Sequence, residues 1–274
     1  MEQKLIFVDI DGTLVPAGSF TPPESAQRAI RQARANGHRL FLCTGRNYGM
    51  TAPLLQYGFD GYVSCAGGYV VCGGQTLFDC PMEPDLLQRV TEAFHSGGVL
   101  ITLETREHAY ADDCAGRFVE EGACTAALLE RWYQAMNAEL QVLPMAAYAG
   151  EPVYKLVFIC QREEQLAHAR SLLEPAFTFC MQSLPGSPCI CGELISRRFD
   201  KGRGLRRVCE ALGVPLADTV AFGDSMNDWE MMHTAGISVC MADGSPELRR
   251  ACSRICPPVE QDGLATAFAE LGLI

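Results

Sequence analysis

No apolar run in the 274-residue chain is long enough to cross a bilayer, which excludes a helical membrane span. The opening Met1-Glu2-Gln3-Lys4 passes straight into an apolar stretch without a signal-peptide pattern, so a cytoplasmic protein is expected. Positive charge is short: 22 Lys and Arg against 33 Asp and Glu leave a formal net charge of -11. A surface of that sign suits neither nucleic acid nor an anionic membrane as partner. The five histidines form no cluster, and the 14 cysteines contain no Cys-x-x-Cys pair. Cys189-Ile190-Cys191 and Cys252-Ser253-Arg254-Ile255-Cys256 lack the partner spacing of a zinc site, so no zinc or disulfide framework is expected. Cys43, Cys65, Cys160 and Cys240 sit in or beside apolar runs and read as small buried hydrophobes. Repeats and low-complexity tracts are absent. What remains can bury a sizeable core, as one large or two modest domains.

The most informative segment is Phe7-Val8-Asp9-Ile10-Asp11-Gly12-Thr13. Leu5-Ile6-Phe7-Val8 reads as a buried strand of a parallel sheet. A period of two places Asp9 and Asp11 on one side of an extended chain. Two such carboxylates suit a metal ion and a phosphoryl group, one attacking while the other handles a proton. An Asp-Gly turn without chemistry fits the same residues. Three further segments follow strand-like runs or start a helix. Thr44-Gly45-Arg46 follows His38-Arg39-Leu40-Phe41-Leu42-Cys43. Lys201 follows Asp200 and starts a helical pattern to about Leu212. Gly223-Asp224-Ser225-Met226-Asn227-Asp228 follows Val220-Ala221-Phe222. Each alone reads as a turn, a solvated first-turn lysine or an N-cap cluster. Together they place polar groups at strand carboxyl ends, where open α/β sheets bind ligands.

These four segments resemble the motifs of the haloacid dehalogenase-like phosphatases, in the Cof-type subfamily with a large class IIB cap. Asp9-Ile10-Asp11-Gly12-Thr13 looks like the first motif and Thr44-Gly45-Arg46 the second. Lys201 looks like the third, and the segment from Gly223 to Asp228 the fourth. Two loops depart from the subfamily pattern. Ala66, in Ser64-Cys65-Ala66-Gly67-Gly68, stands where Asn is usual, and so does Asp243 in Met241-Ala242-Asp243-Gly244. Both loops are expected to border the site.

The resemblance implies a magnesium-dependent phosphatase acting on small phosphorylated metabolites, such as sugar phosphates. Asp9 would be the nucleophile, forming an aspartyl-phosphate, and Asp11 the acid and base. Magnesium would be held by Asp9, the Asp11 carbonyl and Asp224, with Asp228 close by. Thr44 and Gly45 would hold phosphate oxygens, Lys201 would neutralise charge, and Asn227 would orient Lys201 or the phosphate. Arg46 would bind substrate, although a solvated helix-start arginine fits equally. A sugar phosphomutase, or a phospho-ligand binding protein with a decayed site, remain alternative readings.

The expected fold is α/β: a Rossmann-like parallel-sheet core, residues 1–80 and 189–274, with an α+β cap inserted at 81–188. Closure of a crevice between the two would exclude water. Thr21-Pro22-Pro23-Glu24 reads as a capping box for a helix from Ser25 to about Asn36. Parallel alternation is expected to about Phe78, with strands at Gly61–Ser64, Gly68–Val71 and Gln75–Phe78. In the cap, helices are expected at Glu83–His95, Ala123–Met136 and Glu163–Leu173. Strands are expected at Val99–Leu103, His108–Ala111, Val153–Ile159 and Phe177–Gln182. Cys191–Ser196 should lead back to the core, which closes with a helix near Gly263 to Leu271. Tyr154 and Lys155 are candidate cap groups for choosing the leaving group.

Overall fold

The computed structural model describes residues 2–16, 19–113, 142–183 and 189–274. The helix expected at Ala123–Met136 lies outside the described residues. The chain divides into two compact units, Met1–Asp79 with Phe199–Ile274, and Cys80–Arg198. Strands β1 to β5 are Leu5–Val8, Arg39–Cys43, Gly61–Ser64, Tyr69–Cys72 and Gln75–Asp79. Strands β6 to β11 are Leu100–Thr105, Ala109–Ala111, Val142–Pro144, Val153–Cys160, Phe177–Ser183 and Ile190–Ser196. Strands β12 to β14 are Thr219–Gly223, Ile237–Met241 and Arg254–Cys256.

The first unit is built on one sheet in the order β14-β13-β12-β1-β2-β3-β4-β5. From β14 through β3 every pairing is parallel. All four residues of β1 are buried, as expected of a central strand covered on both faces. Phe7 lies in register with Phe41, their rings stacked with centroids 5.1 Å apart. Leu205 and Val208 of the Lys201–Leu212 helix join Phe7, Phe41, Val63, Val70 and Ala221 in one buried cluster. Each such fully buried side chain contributes roughly 2 kcal/mol.

Two expectations fail here for backbone reasons. The strands after β3 do not continue the parallel pattern: β3–β4 and β4–β5 are antiparallel. Their connections, Cys65–Gly68 and Gly73-Gly74, are too short for a parallel crossover. The capping box also does not form. Pro23, not Thr21, precedes the Glu24–Ala35 helix, which has no side-chain cap. The two prolines hold the chain extended and carry Thr21 away from the helix amides.

Gly67 has φ +104° and packs against the Lys201–Leu212 helix start, where a Cβ would come within 2.3 Å of the Asp200 carbonyl oxygen. Next to it, Gly68 lies against the ring of Phe199.

The second unit is a sheet in the order β10-β11-β9-β6-β7-β8. Helices Pro84–Ser96 and Ala167–Leu173 pack with one of its faces around Phe94, Ile101, Leu103, Leu156, Phe158 and Leu194. Cys191–Ser196 does not lead out of this unit. It belongs to β11, which is hydrogen-bonded along its length to β10 and also to β9. Alternate positions on the strands carry a buried polar set. Lys155 Nζ lies 2.6 Å from Glu193 and 3.4 Å from Glu104. Burial first, then the charges around it, sets the Glu104 carboxyl at about 7.

Candidate active site

In the sheet order β12-β1-β2, each strand ends at a residue singled out by the sequence. Asp224 follows β12, Asp9 follows β1 and Thr44 follows β2. Backbone bonds fix two of these ends: the Asp9 amide donates to Phe222 O at 3.0 Å, and the Thr44 amide to Val63 O at 2.8 Å.

Lys201 is buried at the first position of its helix, and Asp200 caps that helix by accepting from the Arg203 amide at 2.7 Å. The Lys201 ammonium donates to Asp9 Oδ1 and to Asp228 Oδ1, both at 2.6 Å, and to Asn227 Oδ1 at 3.1 Å. Burial favours loss of its proton, but Asp228 and Asp9 outweigh burial and hold the ammonium above its ordinary value. The other oxygen of Asp228 accepts the Asp224 and Ser225 amides at 3.0 and 3.2 Å. Asp228 is therefore rigid and fully buried.

Asp9, Asp224 and Asp228 each bring a carboxylate oxygen within 4.8 Å of the others. Burial first, and Asp228 next, raise the Asp9 carboxyl well above the usual range, against the pull of Lys201. Asp224 is pushed up to about 7 by burial and then by Asp228. Three carboxylates facing one ammonium make a site short of positive charge, and an all-oxygen donor set suits a hard divalent cation.

Asp11 does not join that group. The strand ends at Val8, and the chain turns over Ile10, whose carbonyl accepts the amides of Thr13, Leu14 and Val15. Asp11 instead faces Arg46, accepting from Nε at 2.9 Å and Nη2 at 2.6 Å. Arg46 is not a solvated helix-start residue. Its side chain is 5% exposed, it also donates to Ser19 O at 3.0 Å, and it lies 4.7 Å from the Phe20 ring centre. Among the described residues its buried Nη1 has no hydrogen-bond partner.

Thr44 is buried, and its hydroxyl oxygen accepts the Arg46 amide at 3.0 Å. Gly45 lies between them and is half-buried. The loop with Ala66 is tied to the same segment: Ala66 N donates to Thr44 O and Cys65 N to Arg46 O. Ala66 has φ 57°, in the left-handed region where Asn is better accommodated than Ala. Asp243 is exposed and its charge adds to the raising of Asp224. Asn227 is exposed and also accepts from the Ser225 hydroxyl at 2.9 Å.

Sequence reasoning missed three supporting groups. Thr13 Oγ1 donates weakly to Asp224 at 3.4 Å. Gly12, at φ +74°, leaves room for Asp224, whose carboxylate a Cβ would meet at 2.7 Å. Phe20 backs Arg46 from a segment with no periodic signal. Tyr154 and Lys155 are both buried in the second unit, and the Tyr154 hydroxyl accepts from Arg106 at 3.2 Å.

The profile of the haloacid dehalogenase-like hydrolases matches residues 6–268. The chain belongs to this family. YkrA of Bacillus subtilis (strain 168) is 27% identical over 275 residues, covering 100% of both chains. The HMP-PP phosphatase of Yersinia enterocolitica is 28% identical over 254 residues, 90% of this chain and 86% of its own. A solved protein from Geobacillus kaustophilus HTA426 matches with a TM-score of 0.82 and 27% identity, covering 100% of both chains. The α/β core sheet and the inserted α+β unit are the fold of this family, and the protein is an enzyme. No helix among the described residues is long and apolar enough to cross a membrane.

Proposed function

We propose that the protein is a magnesium-dependent phosphatase that hydrolyses small-molecule phosphomonoesters through an aspartyl-phosphate on Asp9. The reading rests on one observation: a buried lysine binds Asp9 while Asp224 and Asp228 crowd the same point. A relative of similar length is named a phosphatase, which supports the same class. The groups assigned to catalysis all lie in the first unit.

Asp9, Asp224, Asp228 and the Asp11 carbonyl would hold the metal. Bound there, it offsets phosphate charge and keeps carboxylates ionised. Asp9 is the nucleophile. Lys201 keeps Asp9 oriented and supplies fixed positive charge for the phosphoryl oxygens. Thr44 and the Gly45 amide hold those oxygens, and Asn227 positions the lysine ammonium. Asp11 protonates the leaving alcohol and then takes the proton of the attacking water. Arg46 holds Asp11 and offers Nη1 to the substrate.

The test is a panel of phosphomonoesters, including sugar phosphates, incubated with purified protein and magnesium while inorganic phosphate is measured. Release from several members is expected. Movement of phosphate between hydroxyls of one sugar, without release, would establish a mutase instead.

A further inference from the structure

The second unit holds a cavity of its own. A space of about 660 Å³ lies between the Pro84–Ser96 helix and the stretch from Met145 to Val153. Every described residue that lines it belongs to the second unit, whereas Asp9, Asp224, Asp228 and Lys201 belong to the first. The walls are chiefly apolar. Leu103 of β6 is buried against the cavity, and Leu87, Met145 and Tyr148 pack on the unit's core with part of each side chain left uncovered. A volume of this size, with apolar walls and a few polar groups, is that of a small-molecule site.

Its charged groups have one sign. Glu83 stands just before the helix, Glu92 lies on it, and Glu151 comes from the stretch leading into β9. No Lys, Arg or His is among the described residues of the lining. Glu151 and Tyr148 are fixed together. The Glu151 carboxylate accepts the Tyr110 hydroxyl and, through Oε2, the Ala149 amide at 3.1 Å, while the Tyr148 hydroxyl donates to Glu151 O at 2.8 Å. The Tyr110 bond first of all holds the Glu151 carboxyl below its ordinary value, so it carries its charge at neutral pH. Gly150 sits between the two residues at φ +98°, a turn conformation that favours glycine. The Tyr148 ring meets Tyr110 edge-on, with centroids 5.3 Å apart.

We propose that this cavity binds a small organic monocation with an apolar body, an aryl-alkyl amine by chemical class. The ammonium is placed by Glu83, Glu92 and Glu151, and the hydrocarbon lies on Leu87, Leu103 and Met145. Carboxylates beside apolar walls attract a cation more strongly than in open water, because the local dielectric is lower. The Tyr148 ring adds an aromatic face for the same charge, and the Met145 thioether adapts to an irregular body. An anion meets three like charges here. A bare metal ion leaves the apolar walls uncovered, and a neutral hydrocarbon leaves the carboxylates without a counter-charge. No group assigned to catalysis lines the cavity, so the site stands apart from the phosphatase reading.

The experiment titrates the full chain with phenylbutylamine, and with phenylbutanol and phenylbutanoate as its neutral and anionic matches. Calorimetry reads the affinity, and amide chemical shifts read the position. The amine should bind saturably, about tenfold tighter than the alcohol, and the carboxylate should bind least. Shifts are expected at Leu87, Thr91 and Gly150, all in the lining. Changing Glu83→Gln and Glu92→Gln together, at two exposed positions, should cut the preference for amine over alcohol by about threefold or more. Thr91→Trp, which fills the cavity from the helix, should abolish binding. Equal affinity for amine and alcohol overturns the assigned charge. Amine binding that shifts only residues of the first unit, or that both variants leave unchanged, overturns the placement. No saturable binding of the amine overturns the site.

Discussion

The ammonium of Lys201 stands 2.6 Å from the carboxylate of Asp9, across 192 positions of sequence. The ion pair is buried at both ends, with side chains 1% and 5% exposed. A buried pair of this kind is costly to keep, and the two neighbouring carboxylates, Asp224 and Asp228, make its charge balance sensitive to each substitution.

Asp9→Asn should abolish turnover, by about a thousandfold or more, because the amide is isosteric but a poor nucleophile. It should not unfold the protein. The raised Asp9 carboxyl is already opposed by burial and by Asp228, so a neutral group there relieves repulsion. Aryl phosphate kinetics and a melting curve without metal check both halves. Retention of more than about a tenth of the rate would remove Asp9 from the nucleophile role.

Magnesium should raise the melting temperature of the native chain if Asp9, Asp224 and Asp228 hold it as proposed, because a ligand bound to the folded arrangement and not to the unfolded chain stabilises the fold. Asp224→Ala should erase most of that rise and move the magnesium dependence of turnover up by about a hundredfold. Thermal shift against magnesium concentration reads the first effect, with chelator as reference. Full turnover in excess chelator would contradict the metal requirement.

Arg46 holds Asp11 through two nitrogens, a geometry lysine cannot copy. Arg46→Lys should therefore lower kcat by about tenfold or more while Asp11→Asn lowers it further. If Arg46 acts through Asp11, the double variant should be no slower than Asp11→Asn alone. Additive losses would mean that Arg46 works on the substrate independently.

Glu104 supplies a pH test away from the site. Its folded carboxyl titrates at about 7, above its ordinary 4.5, so the folded state holds a proton that the unfolded chain releases. Stability is then lost as pH rises from about 4.5 to about 7. Glu104→Gln keeps an acceptor for Lys155 and cannot ionise. Its melting temperature should match the native chain at low pH and exceed it above neutrality, by an amount on the order of 2 kcal/mol in stability. Parallel melting profiles for both proteins would show the opposite.

Much of the fold was readable because its signals are local. Leu5–Val8 is continuously apolar and buried, and the helix from Lys201 to Leu212 runs as its periodicity predicts. What failed was information held between segments. Nothing in Ile190–Ser196 says which sheet it joins; its partners β9 and β10 decide that. A short hairpin turn, not strand composition, sets β4 and β5 antiparallel. In the site, Asp9, Asp224 and Lys201 come together as their places at strand and helix ends suggest. Arg46 reads the same in sequence whether solvated or buried, and only Phe20 and Asp11, on a separate segment, remove it from water.

The pairing of Tyr69 with Asp79, and the close seat of Gly67 on Asp200, have a topological meaning. The chain leaves the first unit after Asp79 and returns at Phe199, and both points are pinned to the stretch Gly67–Tyr69 by the first unit's own backbone. The inserted segment is thus a side loop whose anchorage is independent of its contents. Closure entropy grows only with the logarithm of loop length, so lengthening or exchanging the insert changes that cost by little more than a fraction of a kcal/mol. This junction is a splice point, where evolution can refit the inserted unit without redrawing the sheet of the first unit.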